Sequence, residues 1–198
     1  MVHRYYDKHL DPQIPNPFRC EGFVRDGLIR RHGGGEVPID GLPPFLRALL
    51  VTDGTVTKIL EAYFWEPVEV QTVEQDFAVA ERPIGWLDVS AGDEVLIRRA
   101  RLRGTESDTL YADAFSVIRA ELIPAVFSQR LIDREVGIGA LIRDSGMESY
   151  REVLEVGVEP SDGGADAASD QVFRTYRIII GRKPVILITE SFPLARYG

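Results

Sequence analysis

Apolar and polar positions divide the chain into an aperiodic start, a helical stretch and a series of strand-like segments. Residues 1–43 are rich in Pro, Gly and Arg and have neither helical nor strand periodicity, which predicts an irregular N-terminal arm. From residue 44 to residue 64, apolar positions recur at helical spacing on both sides of the breaker Asp53-Gly54. This pattern predicts two helices joined by a tight turn, with Thr55 as N-cap of the second.

Strand alternation dominates the remainder of the chain. It covers six segments: 68–73, 94–102, 111–118, 150–156, 172–180 and 185–190. Helical spacing returns only at 122–132 and 138–142. Because the segments show no βαβ alternation, we expect residues 44–198 to form one α+β domain. Its antiparallel sheet of about six strands would carry helices on one face. The acidic, aperiodic segment 159–170 predicts a surface loop.

Composition narrows the classes of partner. Hydrophobic residues make up 44% and charged residues 27% of the chain, as in ordinary globular proteins. A net charge of −8 argues against the clustered basic surface that nucleic-acid binding requires. No segment resembles a secretory leader or approaches the roughly 20 apolar residues of a membrane span. We therefore expect a cytoplasmic protein with neither nucleic acid nor membrane as partner.

The usual metal and cofactor motifs are missing from the sequence. The three histidines, His3, His9 and His32, lie in the N-terminal arm without zinc-site spacing, and neither HExxH nor CxxC occurs. There is also no glycine-rich phosphate loop between a strand and a helix. We predict that the protein binds no metal, so any catalysis would rely on carboxylates, arginines, hydroxyls and backbone amides.

A lone cation on an apolar strand face is the clearest candidate site residue. In the segment 94–102, Arg98 shares one face with Leu96 and Ala100, since side chains two apart point the same way. The other face carries the polar positions Arg99, Arg101 and Arg103 and is the solvated one. An inward guanidinium needs an anionic partner. That partner is either a protein carboxylate or the carboxylate of a ligand.

The last strand segment supplies a candidate carboxylate. Residues 185–190 are apolar on both faces until Glu190, which predicts a central strand covered on both sides. Glu190 could be the ion-pair partner of Arg98, a strand end in water, or a catalytic acid or base. One face of the segment 111–118 carries three small side chains, which leave room for either a ligand or a packed helix: Ala112, Ala114 and Ser116.

Four segments, in their order along the chain, resemble the chorismate lyase family (chorismate pyruvate-lyase, 4-hydroxybenzoate synthase). They are LLVTDGTVTK at 49–58, LIR at 96–98, GIGAL at 137–141 and LITESFP at 187–193. The resemblance covers about residues 44–198. It implies cofactor-free conversion of chorismate to 4-hydroxybenzoate and pyruvate, in an internal pocket that helical flaps close.

The resemblance also assigns roles to individual residues. The substrate-binding arginine of the family falls on Arg98 and its active-site glutamate on Glu190, so both are the expected catalytic residues. Two backbone contacts to substrate fall on Val56 and Ile138. Val56 departs from the family pattern, in which this position is usually a methionine. The change would alter the apolar fit of the flap to the substrate ring.

Two alternatives remain open at the level of sequence. UTRA-type effector domains of bacterial regulators resemble the lyase fold, which allows a non-catalytic module that binds a small carboxylate. Such modules normally follow a winged helix-turn-helix, whereas residues 1–43 lack helical periodicity. The second alternative is a lyase-fold enzyme with an altered hydroxybenzoate product.

Overall fold

A single mixed sheet organises the chain. The computed structural model describes residues 27–132, 137–160 and 170–198. Its strands are β1 (Leu28–Arg31), β2 (Glu36–Pro38), β3 (Val68–Val79), β4 (Glu94–Gly104), β5 (Leu110–Ile118), β6 (Ser149–Pro160), β7 (Asp170–Ile180) and β8 (Lys183–Pro193). They lie in the order β2-β1-β6-β7-β8-β5-β4-β3. Every neighbouring pair is antiparallel except β1 and β6.

Within the described residues, four α-helices pack on this sheet. They are α1 (Pro44–Val51), α2 (Val56–Phe64), α3 (Ala125–Ile132) and α4 (Ile138–Ser145). The predicted break at Asp53-Gly54 separates α1 from α2, and Thr55 occupies the N-cap position of α2 as expected. The predicted fold class is confirmed, because all six predicted strands are present as β3 to β8 and the four helices lie where helical spacing occurs.

Two strands lie where the sequence predicted irregular chain, and that part of the prediction is wrong. β1 and β2 form a hairpin whose turn contains Gly33, Gly34 and Gly35, all at positive φ, a conformation that side chains with a Cβ disfavour. Strands of three and four residues are too short to show alternation, and β1 depends on pairing with the distant β6. Residues 1–26 lie outside the described part of the chain, and the division into an arm (1–43) and a domain (44–198) stays a prediction.

The helices cover the two ends of one sheet face and leave its centre open. Leu46, Leu49 and Leu60 from α1 and α2 pack with Leu102 of β4 and Phe192 of β8. At the other end, Phe127 and Leu131 of α3 and Leu141 of α4 pack with Leu96 and Ile186. Arg98 therefore lies on β4 between two separate hydrophobic clusters, at the uncovered centre.

The opposite face is covered at one end by the segment between β3 and β4. Trp86 and Leu87 from this segment pack with Phe115 of β5 and Leu187 of β8. As a result β8 is buried on both faces, as its continuous apolar run predicted.

The acidic segment 159–170 differs from the predicted surface loop at its two ends. Glu159 and Pro160 end β6, Asp170 begins β7, and the side chain of Glu159 is buried. Gln171 Nε2 donates to Glu159 Oε1 at 3.0 Å, which compensates the burial of that carboxylate. Residues 161–169 lie outside the described residues. Within the described ranges, no helix is long and apolar enough to cross a membrane.

Candidate active site

A cavity of about 470 Å³ occupies the open centre of the sheet face, beneath the N-termini of α2 and α4. The four residues proposed from the sequence, Arg98, Glu190, Val56 and Ile138, all line this one cavity. They come from four different elements, β4, β8, α2 and α4. The fold thus brings together positions that are up to 134 residues apart, counting from Val56 to Glu190.

The floor of the cavity includes small side chains on the neighbouring strands β4 and β5. Ala100 pairs with Ala114, which in turn pairs with Glu190 on β8. Arg98 pairs with Ser116 on β5. Because these side chains end close to the backbone, the space above them stays unfilled, and the small-residue face predicted for β5 lines a cavity at Ala114 and Ser116.

Arg98 points into this face, as strand parity predicted. Its residue surface is only 2% exposed, and its Nη2 donates to Thr72 Oγ1 on the edge strand β3 at 2.8 Å. By contrast, Arg101 and Arg103 lie on the other face and are half-buried there. They pair with Asp113 and Asp108 at 3.4 and 3.0 Å. The planar guanidinium of Arg98 is therefore the cation aimed from β4 at the cavity.

Glu190 has an ion-pair partner that differs from the one considered from the sequence. Arg174, directly opposite on β7, places both Nε and Nη2 at 2.9 Å from Glu190 Oε2. The guanidinium is fully buried and also donates through Nη1 to the carbonyl oxygens of Leu49 and Thr52, at 2.6 and 2.7 Å. Those carbonyls end α1, where a cation is favourable. Arg174 thus holds Glu190 and the α1–α2 turn at the same time.

Arg174 was not predicted as a site residue, although the sequence contains a signal for it. In the segment 172–180, Arg174 shares its face with Val172, Tyr176 and Ile178, so it is a lone cation on an apolar face. By strand parity, Arg174 is therefore an inward-pointing cation in the same way as Arg98. That Arg174 pairs with Glu190 follows only from the register of β7 on β8, which alternation within one strand does not specify.

Tyr176 contacts both members of the buried Arg174–Glu190 ion pair. Its hydroxyl donates to Glu190 Oε1 at 3.1 Å, and its ring lies under the Arg174 guanidinium with 4.7 Å from Cζ to the ring centroid. Burial, followed by the nearby Glu190 charge, raises the pKa of the Tyr176 phenol far above its ordinary value. The phenol is therefore a neutral hydrogen-bond donor, and both oxygens of Glu190 are engaged.

Two helix N-termini form the roof of the cavity. Neither α2 nor α4 has a side-chain cap, and their first backbone N–H groups have no intrahelical acceptor. The two ends lie close together, since a methyl group added at Gly139 would lie 3.3 Å from Thr55 Cγ2. Paired N-termini of this kind carry partial positive charge and suit an anionic ligand.

Comparison with known proteins identifies relatives of this sequence. The model of the family described as Rv2949c-like chorismate pyruvate-lyase matches residues 50–197. A chorismate pyruvate-lyase of Mycobacterium leprae is 31% identical over 153 residues, which cover 74% of this chain and 73% of the relative. The chorismate pyruvate-lyase of Mycobacterium tuberculosis H37Rv is 29% identical over 156 residues, covering 74% and 78%.

Solved structures share the fold at low sequence identity. The effector domain of PhnF from Mycobacterium smegmatis superposes with a TM-score of 0.58 at 17% identity, covering 72% of this chain and 90% of that domain. Another PhnF structure from the same organism gives a TM-score of 0.60 at 16% identity, covering 75% and 67%. Identity this low relates the architectures alone, whereas the family match covers most of the sequence. The chain belongs to the Rv2949c-like chorismate pyruvate-lyase family.

Proposed function

We propose that this protein is a chorismate pyruvate-lyase that converts chorismate to 4-hydroxybenzoate and pyruvate in the cavity between the two helix pairs. One observation carries the proposal. The Arg98 guanidinium, the open N-termini of α2 and α4, and the buried carboxylate of Glu190 all line a single cavity of about 470 Å³. Membership of the lyase family supports the same assignment.

The charges of the cavity suit a small dianion. Chorismate carries one carboxylate on its ring and another on its enolpyruvyl side chain. The Arg98 fork can bind the ring carboxylate through two parallel hydrogen bonds, and the N–H groups at Val56 and Ile138 can donate to other substrate oxygens. The apolar walls formed by Ile178 and Ile188 exclude water, which strengthens these interactions.

The reaction is an elimination that needs little machinery beyond orientation. The C4–H electron pair forms the new C3–C4 π bond, and the C3–O ether bond breaks with its electrons on the enolpyruvate oxygen. C4 loses a proton and the methylene carbon of the enolpyruvate gains one, which gives pyruvate. Aromatisation of the ring drives the reaction, and all atoms are conserved without an external oxidant or reductant. The site therefore contributes mainly by holding a reactive conformer.

Glu190 is proposed to contact the 4-hydroxyl and ether region of chorismate. Its two oxygens already accept from Arg174 and Tyr176, so the carboxylate is fixed in one orientation before substrate enters. A fixed acceptor aligns the 4-hydroxyl, and with it the C4–H bond, relative to the departing ether oxygen. The small side chains of Ala100 and Ala114 leave space for the substrate ring above the sheet.

The direct test is incubation of the purified protein with chorismate, with 4-hydroxybenzoate measured by chromatography and pyruvate by coupled lactate dehydrogenase. The proposal expects the two products in equimolar amounts at a rate far above the uncatalysed one. A hydroxybenzoate other than the 4-isomer would indicate a lyase with altered product. Binding of chorismate without any turnover would instead favour a non-catalytic, UTRA-like binding module, a possibility kept open by the shared fold.

A further inference from the structure

A second arginine, Arg151 on β6, lines the cavity on the side opposite Arg98. Its Nη1 donates to the carbonyl oxygen of Asp53, in the turn between α1 and α2, at 2.7 Å. Among the residues that the structure describes, no carboxylate lies within ion-pair distance of its guanidinium. Arg151 therefore brings a positive charge to the cavity that the protein itself does not neutralise.

Other cations of the cavity differ in this respect. Arg143 of α4 pairs with Asp144 at 2.9 Å, and Lys58 of α2 pairs with Glu61 at 2.5 Å. Both side chains are more than half exposed, so solvent screens what charge remains. Arg151 is half-buried and lines the cavity, so its charge is placed to act on a ligand there.

The strand order fixes how far apart the two arginines lie in the sheet. Arg98 lies on β4 opposite Ser116, and Arg151 lies on β6 opposite Ile178. Four strand spacings separate β4 from β6 in the strand order, which is about 19 Å at the usual spacing of about 4.8 Å. Arg98 and Arg151 both line the cavity from strands on its two sides, so a small molecule bound between these strands can contact both guanidinium groups.

We propose that Arg151 binds the enolpyruvyl carboxylate of chorismate while Arg98 binds the ring carboxylate. This assignment rests on the proposed lyase function. One guanidinium at each end of the cavity would separate the two negative charges of the substrate and fix its long direction across the sheet. Arg151 also donates a hydrogen bond to the carbonyl oxygen of Asp53. A substrate bound to Arg151 would therefore lie next to the turn that positions the N-terminus of α2.

The test uses two ligands that differ in the number of carboxylates. Arg151→Gln is expected to raise the KM for chorismate about 10- to 100-fold, the effect of losing a charge-assisted hydrogen-bonded contact. Inhibition by 4-hydroxybenzoate, which has only the ring carboxylate, should change less than about twofold because its contacts lie at Arg98. Arg182→Gln, in the exposed β7–β8 turn, removes the same charge far from the cavity and should leave both values unchanged.

The outcomes separate this inference from the function on which it rests. Equal weakening of chorismate and 4-hydroxybenzoate would show that Arg151 only anchors the turn at Asp53, and an unchanged KM would equally overturn the proposal. If Arg151→Gln does not fold, Arg151→Lys keeps the charge and is expected to raise the KM by a smaller factor. If the wild-type protein makes no product, the lyase function fails, and calorimetric binding of the two ligands to both variants still decides the role of Arg151.

Discussion

Arg174 and Glu190 lie directly opposite each other on β7 and β8 and form a buried ion pair in which two guanidinium nitrogens approach one carboxylate oxygen at 2.9 Å. Arg174 simultaneously bonds two carbonyl oxygens at the end of α1. A single side chain thereby connects the carboxylate of the candidate site with the turn that leads into α2. Glu190 is held by the protein before any ligand binds.

Removing the cation of this pair should be costly. Arg174→Ala leaves Glu190 and the carbonyls of Leu49 and Thr52 without their donor, so we expect the free energy of unfolding to fall by about 3–5 kcal/mol. In the background of Glu190→Gln the same change should cost less, because no buried charge is then stranded. Urea unfolding of the two single variants and the double variant measures the coupling.

A matched control lies on the same strand. Arg177 pairs with Glu152 at 2.8 Å, but both side chains are about one quarter exposed and lie on the other sheet face. Arg177→Ala should therefore cost markedly less than Arg174→Ala. Equal losses for the two variants, or full additivity of Arg174→Ala with Glu190→Gln, would contradict the assigned importance of the buried pair.

The hydroxyl of Tyr176 completes the hydrogen bonding of Glu190. Tyr176→Phe keeps the ring that packs under Arg174 but removes the donor to Glu190 Oε1. We expect kcat for chorismate to fall by about tenfold or more, the usual effect of losing a hydrogen bond to a charged group, with a folded protein. Tyr150→Phe on β6 is the control, because that side chain is largely exposed and away from Glu190. Similar kcat values for all three proteins would remove Tyr176 from the site.

Features that depend on local sequence were predicted, whereas features that depend on contacts between distant segments were not. Strand β4 and its inward Arg98 followed from alternation alone, because parity is a local property of the chain. The break at Asp53-Gly54 was equally local. β1 and β2 were missed because three- and four-residue strands carry no period and exist through pairing with distant chain.

The partner of Glu190 could not be predicted for a related reason. Alternation places Arg174 on an apolar face, but only the register between β7 and β8 shows that it meets Glu190. Tertiary structure is also needed for Arg151, whose guanidinium is held beside the cavity by a hydrogen bond to the α1–α2 turn. The alternation within one strand thus predicts which charged side chains point inward, whereas tertiary structure determines which of them form ion pairs.

The far end of the helix pair is held by a carboxylate that should make stability depend on pH. Glu66, just after α2, accepts from the hydroxyls of Tyr111 and Ser107 and from the backbone N–H groups of Glu106 and Ser107. The hydrogen bond from Tyr111, followed by that from Ser107, lowers the pKa of Glu66 from 4.5 to about 2. The folded chain therefore favours the ionised form more than the unfolded chain does.

The sign of the effect follows from proton linkage. The stabilisation by Glu66 is complete above the unfolded pKa of 4.5 and is lost as pH falls toward 2. Glu66→Gln should therefore lose less free energy of unfolding than the wild-type protein when the pH is lowered from about 6 to about 3. Glu94→Gln, an exposed substitution of the same charge, serves as control in urea unfolding at both pH values. Parallel losses in the wild-type protein and Glu66→Gln would contradict the prediction.

The central claim is that the face of β4 carrying Arg98, and not the face carrying Arg99, binds substrate. The decisive measurement compares kcat/KM for chorismate in Arg98→Gln and Arg99→Gln, two neighbouring substitutions of the same charge and size. Loss of a buried charged contact predicts a decrease equivalent to about 2–5 kcal/mol for Arg98→Gln and almost none for Arg99→Gln. Circular dichroism and urea unfolding confirm that both variants fold. Equal kcat/KM values in two folded variants would contradict the account.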